Sequence, residues 1–162
     1  MKLCLNMIVK NESARIERAL ATVAPFIASW VIVDTGSTDD TKEKIVRFFK
    51  ACQIPGEIRD ELFVDWSQAR NAALDWARKL SFAYEPDYFL LMDADMELVV
   101  KDHAKFHAEH AGVSYDMWQH AGASHYQNRR LVRADAVGEY LGVTHEYLNV
   151  PTAGLIPEEV AY

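Results

Sequence analysis

Two rhythms of apolar and polar positions alternate over the first hundred residues. Leu3–Val9 is a near-continuous apolar run that ends at Lys10-Asn11-Glu12. Ile16, Ala19, Leu20 and Val23 then recur at helical spacing, with Pro25 just beyond, and predict a helix. Trp30–Val33 is a second short run, rich in β-branched residues, that ends at Asp34. Gly36–Asp40 reads as a turn supplying N-cap residues. The helix after it is expected to turn Ile45, Phe48, Phe49 and Cys52 inward. Gly56–Arg59 reads as a short third strand. Ser67–Leu80 predicts a third helix with Ala69, Ala73, Trp76 and Leu80 on its apolar side. Tyr88–Met92 is a fourth strand running straight into Asp93-Ala94-Asp95. After Val100 the rhythm weakens: Lys101–Ala111 reads as a short helix, and 112–150 as loops and short strands.

Uninterrupted apolar strands that alternate with helices predict an α/β fold, with a mainly parallel sheet flanked by helices. Ligands of such sheets bind beyond the carboxyl ends of the strands. Those ends carry Asn11 and Glu12, then Asp34, then Asp93 and Asp95. Polar groups therefore gather along one edge.

Composition narrows the picture. The 162 residues are 50% apolar, which excludes disorder for the whole and suits one domain over 1–162 that folds without a disulfide or metal staple. The net charge of −7 is spread along the chain, with 12 basic and 16 acidic groups in residues 1–100 and 5 and 8 in the remainder. With no basic stripe, a nucleic-acid partner is not expected. An acidic protein can still bind an anion through a metal ion or a few placed arginines. Cys4 and Cys52 both lie in apolar runs and read as buried free thiols of a reducing compartment. The first apolar run is too short and too polar at Asn6 for a signal peptide, and no run is long enough to span a bilayer. A cytoplasmic location is the expectation.

Several motifs carry candidate chemistry, each with a plainer alternative. Val33–Ser37 (VDTGS) matches the catalytic loop of aspartic proteases, which need two such loops in all-β lobes. The same residues also suit a strand end with a helix cap, or an Asp34 that binds a ligand. Asp93 and Asp95, flanking one residue after a buried strand, suit Mg²⁺ or Mn²⁺, or else a solvated acidic turn. Arg70, near the start of the third helix, could pair with strand-end carboxylates or with a phosphate, or make a surface salt bridge. His103, His107 and His110, with Glu109, could share a helix face as zinc ligands; a solvated face is the plainer reading, because neither H-E-x-x-H nor a nearby Cys accompanies them. His145-Glu146 could bring an imidazole and a carboxylate to a site, or be structural.

Taken together, these segments resemble a family 2 glycosyltransferase of the GT-A fold. LNMIVKNES, VIVDTGSTDDT, DWSQARNAAL and YFLLMDADMEL occur in the order that family shows. NRRLVRADAVGEYLGVTHEYL (Asn128–Leu148) resembles the R-x-x-R…G-x-x-H-E segment of a bacterial branch concerned with lipopolysaccharide cores and cell-wall biogenesis. The resemblance implies a transferase that moves a sugar from a nucleotide-diphosphate donor, a UDP-sugar above all, to an acceptor hydroxyl with inversion. It implies donor contacts from Asn11, Glu12, Asp34, Arg70 and Asp93. It also implies Mn²⁺ or Mg²⁺ on Asp93, Asp95 and His145, and Glu146 as general base. The acceptor is left as a glycan, a lipid-linked sugar or a protein, and peripheral membrane association is compatible with it. Residues 1–100 would form the nucleotide-binding half and 101–162 a shortened acceptor half. Where the family has an acidic residue directly after D-x-D, this chain has Met96, and no role falls to Glu97. The chain is short for that family, or truncated at its C-terminal end. The alternatives are a nucleotide-sugar-binding module or inactive fragment, and more distantly the protease.

Overall fold

The computed structural model describes residues 1–106, 110–152, 154–156 and 160–161. Its centre is four parallel strands, β1 (Leu3–Val9), β2 (Ser29–Asp34), β3 (Gly56–Asp60) and β4 (Tyr88–Leu91), in the order β3-β2-β1-β4. Strand side chains alternate between faces, and here both faces are covered, so every residue of β1 is buried. Leu3, Leu5, Met7 and Val9 pack with Trp30, Ile32, Tyr88 and Leu90 on one side. Cys4 and Ile8, with Val31, Val33, Phe89 and Leu91, pack on the other. Helices α1 (Ile16–Val23) and α2 (Thr41–Cys52) close the first side through Ile16, Leu20, Val23, Ile45 and Phe49. Helix α3 (Trp66–Tyr84) closes the second through Ala69, Ala73, Leu74 and Ala77.

Asn6 is the polar exception inside β1. It is buried, and its Nδ2 donates to the carbonyl of Ala73 at 2.8 Å, pinning α3 to the sheet. Asn6→Ala is expected to cost about 1–3 kcal/mol, the usual range for a buried hydrogen-bonding group. Urea unfolding should show a lower midpoint at an unchanged slope; an unmoved midpoint would contradict this role.

Element ends differ from the sequence expectation in instructive ways. Helix α3 starts at Trp66 because Asp65 is its N-cap, accepting from the Gln68 N–H at 2.8 Å, and it runs past Leu80 to Tyr84. Helix α2 is held at its start by Asp39, whose Oδ1 accepts from the Thr41 N–H at 3.1 Å. Cys52 is exposed at the end of α2, so neither its inward position nor its buried thiol holds; the buried face of α2 ends at Phe49. Cys4 is buried, and burial pushes its thiol up to about 11.

Beyond β4 come β5 (Val99–Val100) and α4 (His103–Phe106), so the helix expected over 101–111 is shorter and His110 lies outside it. His107 and Glu109 fall outside the described residues. A long hairpin follows, β6 (Ser114–Ala121) and β7 (Ser124–Arg133), where only loops and short strands were expected. Residues 120–128 of this ribbon are exposed on both faces, so no alternation of apolar positions marks it in the sequence. Strand β7 runs antiparallel beside β4, with Leu131 opposite Leu90. Strands β8 (Tyr140–Leu141) and β9 (Tyr147–Leu148) form a small separate sheet. β10 (Gly154–Leu155) and β11 (Val160–Ala161) pair with β6. Among the described residues, no helix is long and apolar enough to cross a membrane.

This fold removes the protease alternative. VDTGS ends a parallel strand and leads into α2, whereas the protease loop belongs to all-β lobes.

Candidate functional site

The ends of β1, β2 and β4 meet the start of α3 around a cavity of about 450 Å³. Val9, Lys10, Glu12, Thr35, Phe63, Trp66, Arg70, Asp93, Asp95 and Met96 are among the residues that line it. A wider groove, about 710 Å³, lies elsewhere, beside Tyr88, His110 and Arg133. Position at the carboxyl ends of the parallel strands, not volume, singles out the first.

Asp93 leaves β4 and takes two guanidinium groups. Arg70 Nη1 donates to its Oδ1 at 2.7 Å, and Arg130 Nη1, from β7, donates to its Oδ2 at 3.1 Å. Arg70 also donates through Nε to Glu146 Oε1 at 2.7 Å. The fork of a guanidinium can hold two carboxylates at once, which an ammonium does less well. The result is a chain of alternating charge, Glu146–Arg70–Asp93–Arg130, with all four side chains largely buried. Burial opposes the charge of Asp93, but Arg130 and Arg70 outweigh it and hold the carboxyl below the usual carboxylate range. Burial likewise opposes the charge of Arg70, and Asp93 and Glu146 more than restore it, so its pKa is raised.

Helix α3 also positions Glu146 through the backbone before it. Asn71 donates through Nδ2 to the carbonyl of Tyr140 at 2.9 Å and accepts the Tyr140 N–H at 2.6 Å. The Ser67 hydroxyl donates to the carbonyl of Gly142. Ser67, Arg70 and Asn71 lie three and four positions apart, hence on one helix face, and grip segment 140–146 at three points. The buried Tyr140 ring lies 5.7 Å from the Arg70 guanidinium.

The turns after β1 and β2 are tied to each other. Asp34 Oδ1 accepts from the N–H groups of Gly36 and Ser37 at 2.8 and 2.7 Å. Gly36 sits at φ 107°, a conformation that favours glycine. Asp34 Oδ2 is buried and has no hydrogen-bond partner among the described residues. Asn11 accepts from the Thr38 N–H at 2.8 Å, is exposed, and holds the loop instead of lining the cavity. Glu12 does line it, with Oε2 2.8 Å from Arg15 Nε. Burial raises the Glu12 pKa; Arg15 opposes this, and the nearby charges of Asp95 and Asp39 reinforce it.

A family model described as glycosyl transferase family 2 matches residues 4–137. The chain belongs to this family. The family 2 chain is also similar to solved structures. Over 74% of its length it matches 35% of a chain of S. aureus TarS, at 25% identity and a TM-score of 0.54. TarS in complex with UDP-GlcNAc shares the fold at 22% identity and a TM-score of 0.53, with 76% of this chain and 36% of that one covered. A mycobacterial protein shares it at 12% identity and a TM-score of 0.53, over 88% and 57% of the two chains. The chain thus spans about a third of the length of the TarS chains it matches. No curated protein sequence matches it.

Within this family 2 domain the residues expected as metal ligands do not close on one another. Among the described residues no three His, Cys, Asp or Glu side chains form a metal cluster. Both oxygens of Asp93 carry guanidinium bonds, and His145 is exposed in the turn before Glu146, at φ 57°, away from the cavity lining. Asp95 is exposed at the cavity rim near Glu12. That still fits Mg²⁺ or Mn²⁺, which often take one or two carboxylates and complete their shell with water and phosphate oxygens. His103 packs against Phe26 at 5.1 Å and His110 against Tyr115 at 4.9 Å, so these two face different neighbours.

Arg130, Tyr140, Phe63 and Trp66 are not among the site residues expected from sequence. Arg130 and Arg133 look alike in RRLVR, but positions three apart on a strand face opposite ways. Arg130 turns in to Asp93, while Arg133 pairs with Asp135 at 2.5 Å on the surface. Glu97 pairs with Arg18 at 2.9 Å, outside the site.

Proposed function

We propose that this domain binds a nucleoside-diphosphate sugar in the cavity and transfers the sugar to an acceptor hydroxyl with inversion. The observation that carries the reading is the convergence of Asp93, Arg70 and Glu146 with Asp95 and Glu12 at the carboxyl edge of a family 2 domain. TarS, which shares the fold, has been crystallised with UDP and with UDP-GlcNAc, and this supports a UDP-sugar donor.

In this reading residues 1–100 hold the nucleotide and 101–162 contribute to the acceptor side. The unpartnered Oδ2 of Asp34 accepts an N–H of the base. Glu12 and Asp93 face the ribose, and Arg70 keeps Asp93 ionised and oriented. Asp95 would hold the Mn²⁺ or Mg²⁺, with water and diphosphate oxygens completing its shell. When bound, that ion supplies a Lewis acid and neutralises charge on the departing diphosphate. Glu146 removes the acceptor proton as the oxygen attacks the anomeric carbon from the face opposite the leaving group. The acceptor is a glycan, a lipid-linked sugar or a protein. The R-x-x-R and H-E segments support the lipopolysaccharide-core and cell-wall branch.

A thermal-shift screen of nucleotide sugars with and without Mn²⁺ tests this. UDP-sugars should raise the melting temperature only with metal, because binding to the folded form stabilises it, and Asp95→Ala should abolish the shift. No shift across the panel would contradict it. The Arg70–Glu146 bond favours a second reading, donor binding without turnover, since the base is already engaged. Release of sugar from UDP-sugar by the wild-type domain would exclude that second reading.

A further inference from the structure

Phe63 and Trp66 line the same cavity as Arg70 and Asp93. Phe63 lies in the loop between β3 and α3, and Trp66 is the first residue of α3, fixed there by the Asp65 cap. Their ring centroids are 5.3 Å apart with the planes at 77°, edge to face. Lys10 Nζ lies 5.9 Å from the centre of the Phe63 ring. Despite this packing the two side chains are 39% and 47% exposed, and neither joins the buried apolar clusters of the described residues. Two large rings thus stand at a cavity wall with much of their apolar area in water.

We propose that Phe63 and Trp66 are the stacking platform for the nucleobase of the donor. This rests on the nucleoside-diphosphate reading of the cavity and adds where its base lies. The cavity joins two chemistries. Arg70, Asp93 and Asp95 supply charge suited to ribose, diphosphate and cation. Phe63 and Trp66 supply aromatic area, and Glu12 brings a carboxylate acceptor to the same lining. A base matches that pairing, since it offers a flat face to the rings and N–H groups in its plane to the carboxylate. An alkyl chain would satisfy the rings but leave the acceptor unmet. Stacking is tolerant of base identity and so supplies affinity, while in-plane bonding supplies selection.

The test compares UDP with inorganic pyrophosphate, each titrated calorimetrically with Mn²⁺ into the wild type, Phe63→Ala, Trp66→Ala and Trp66→Phe. UDP should bind the two alanine variants about ten-fold or more weaker, as expected for one lost stacking contact, with pyrophosphate affinity unchanged. Trp66→Phe should keep most of the UDP affinity yet lose the quenching of indole fluorescence that UDP causes in the wild type. Undiminished UDP affinity in both alanine variants overturns the platform and leaves the nucleotide site standing. So does equal weakening of UDP and pyrophosphate, which would mark a general structural loss. Absence of UDP binding to the wild type overturns both readings together.

Discussion

Arg70→Met should abolish nucleotide binding and lower stability by about 3–5 kcal/mol, the range for removing one partner of a buried ion pair. The loss is large because Arg70 serves two carboxylates. Without it Glu146 keeps no bond to α3, and Asp93 keeps Arg130 alone. Methionine preserves most of the aliphatic volume, so the change reports on charge more than on packing. Urea unfolding of wild type and variant gives the stability difference. A variant within about 0.5 kcal/mol of wild type, the range of ordinary surface substitutions, would show that the charge chain is peripheral.

Asp93→Asn should be comparably damaging, by about 3–5 kcal/mol at neutral pH, since it sets two largely buried guanidinium groups against a neutral amide. This site also carries a pH signature. The folded-state pKa of Asp93 is lowered, so its contribution is fully present above the unfolded value of about 3.9 and fades as pH falls through the folded value. The stability gap between wild type and Asp93→Asn should therefore be widest near neutrality and narrow below about pH 4. Unfolding curves at several pH values read this directly. A gap that stays constant into acid would mean that the Asp93 charge is not what holds the two arginines.

The first hundred residues were legible because burial on both strand faces leaves unbroken apolar runs, and because each run ends in the polar residues that the carboxyl edge needs. Leu3–Val9 with Asn11-Glu12, and Tyr88–Leu91 with Asp93, are read this way. The last sixty residues were not. The β6–β7 ribbon is exposed over residues 120–128, so apolar periodicity does not mark it. Arg130 reaches Asp93 across β4 and β7, a pairing set by register, which one sequence does not display. The D-x-D pointed to Asp93 at the ribose and the metal and to Asp95 at the metal; its spacing does not display that Asp93 also organises two arginines while Asp95 stands exposed at the rim. Asn11 was expected at the donor; its side chain spends its acceptor on Thr38. Cys52 misled because a helical spacing places a residue on a face but does not say where that face stops being covered.

The central claim is that the cavity formed by Glu12, Thr35, Arg70, Asp93 and Asp95 is a nucleoside-diphosphate site. Isothermal titration of UDP into the wild-type domain with Mn²⁺ tests it most directly. The expected result is saturable binding of one UDP per chain that disappears when the metal is chelated. No heat of binding for UDP or for any other nucleoside diphosphate, with Mn²⁺ or with Mg²⁺, would contradict the account.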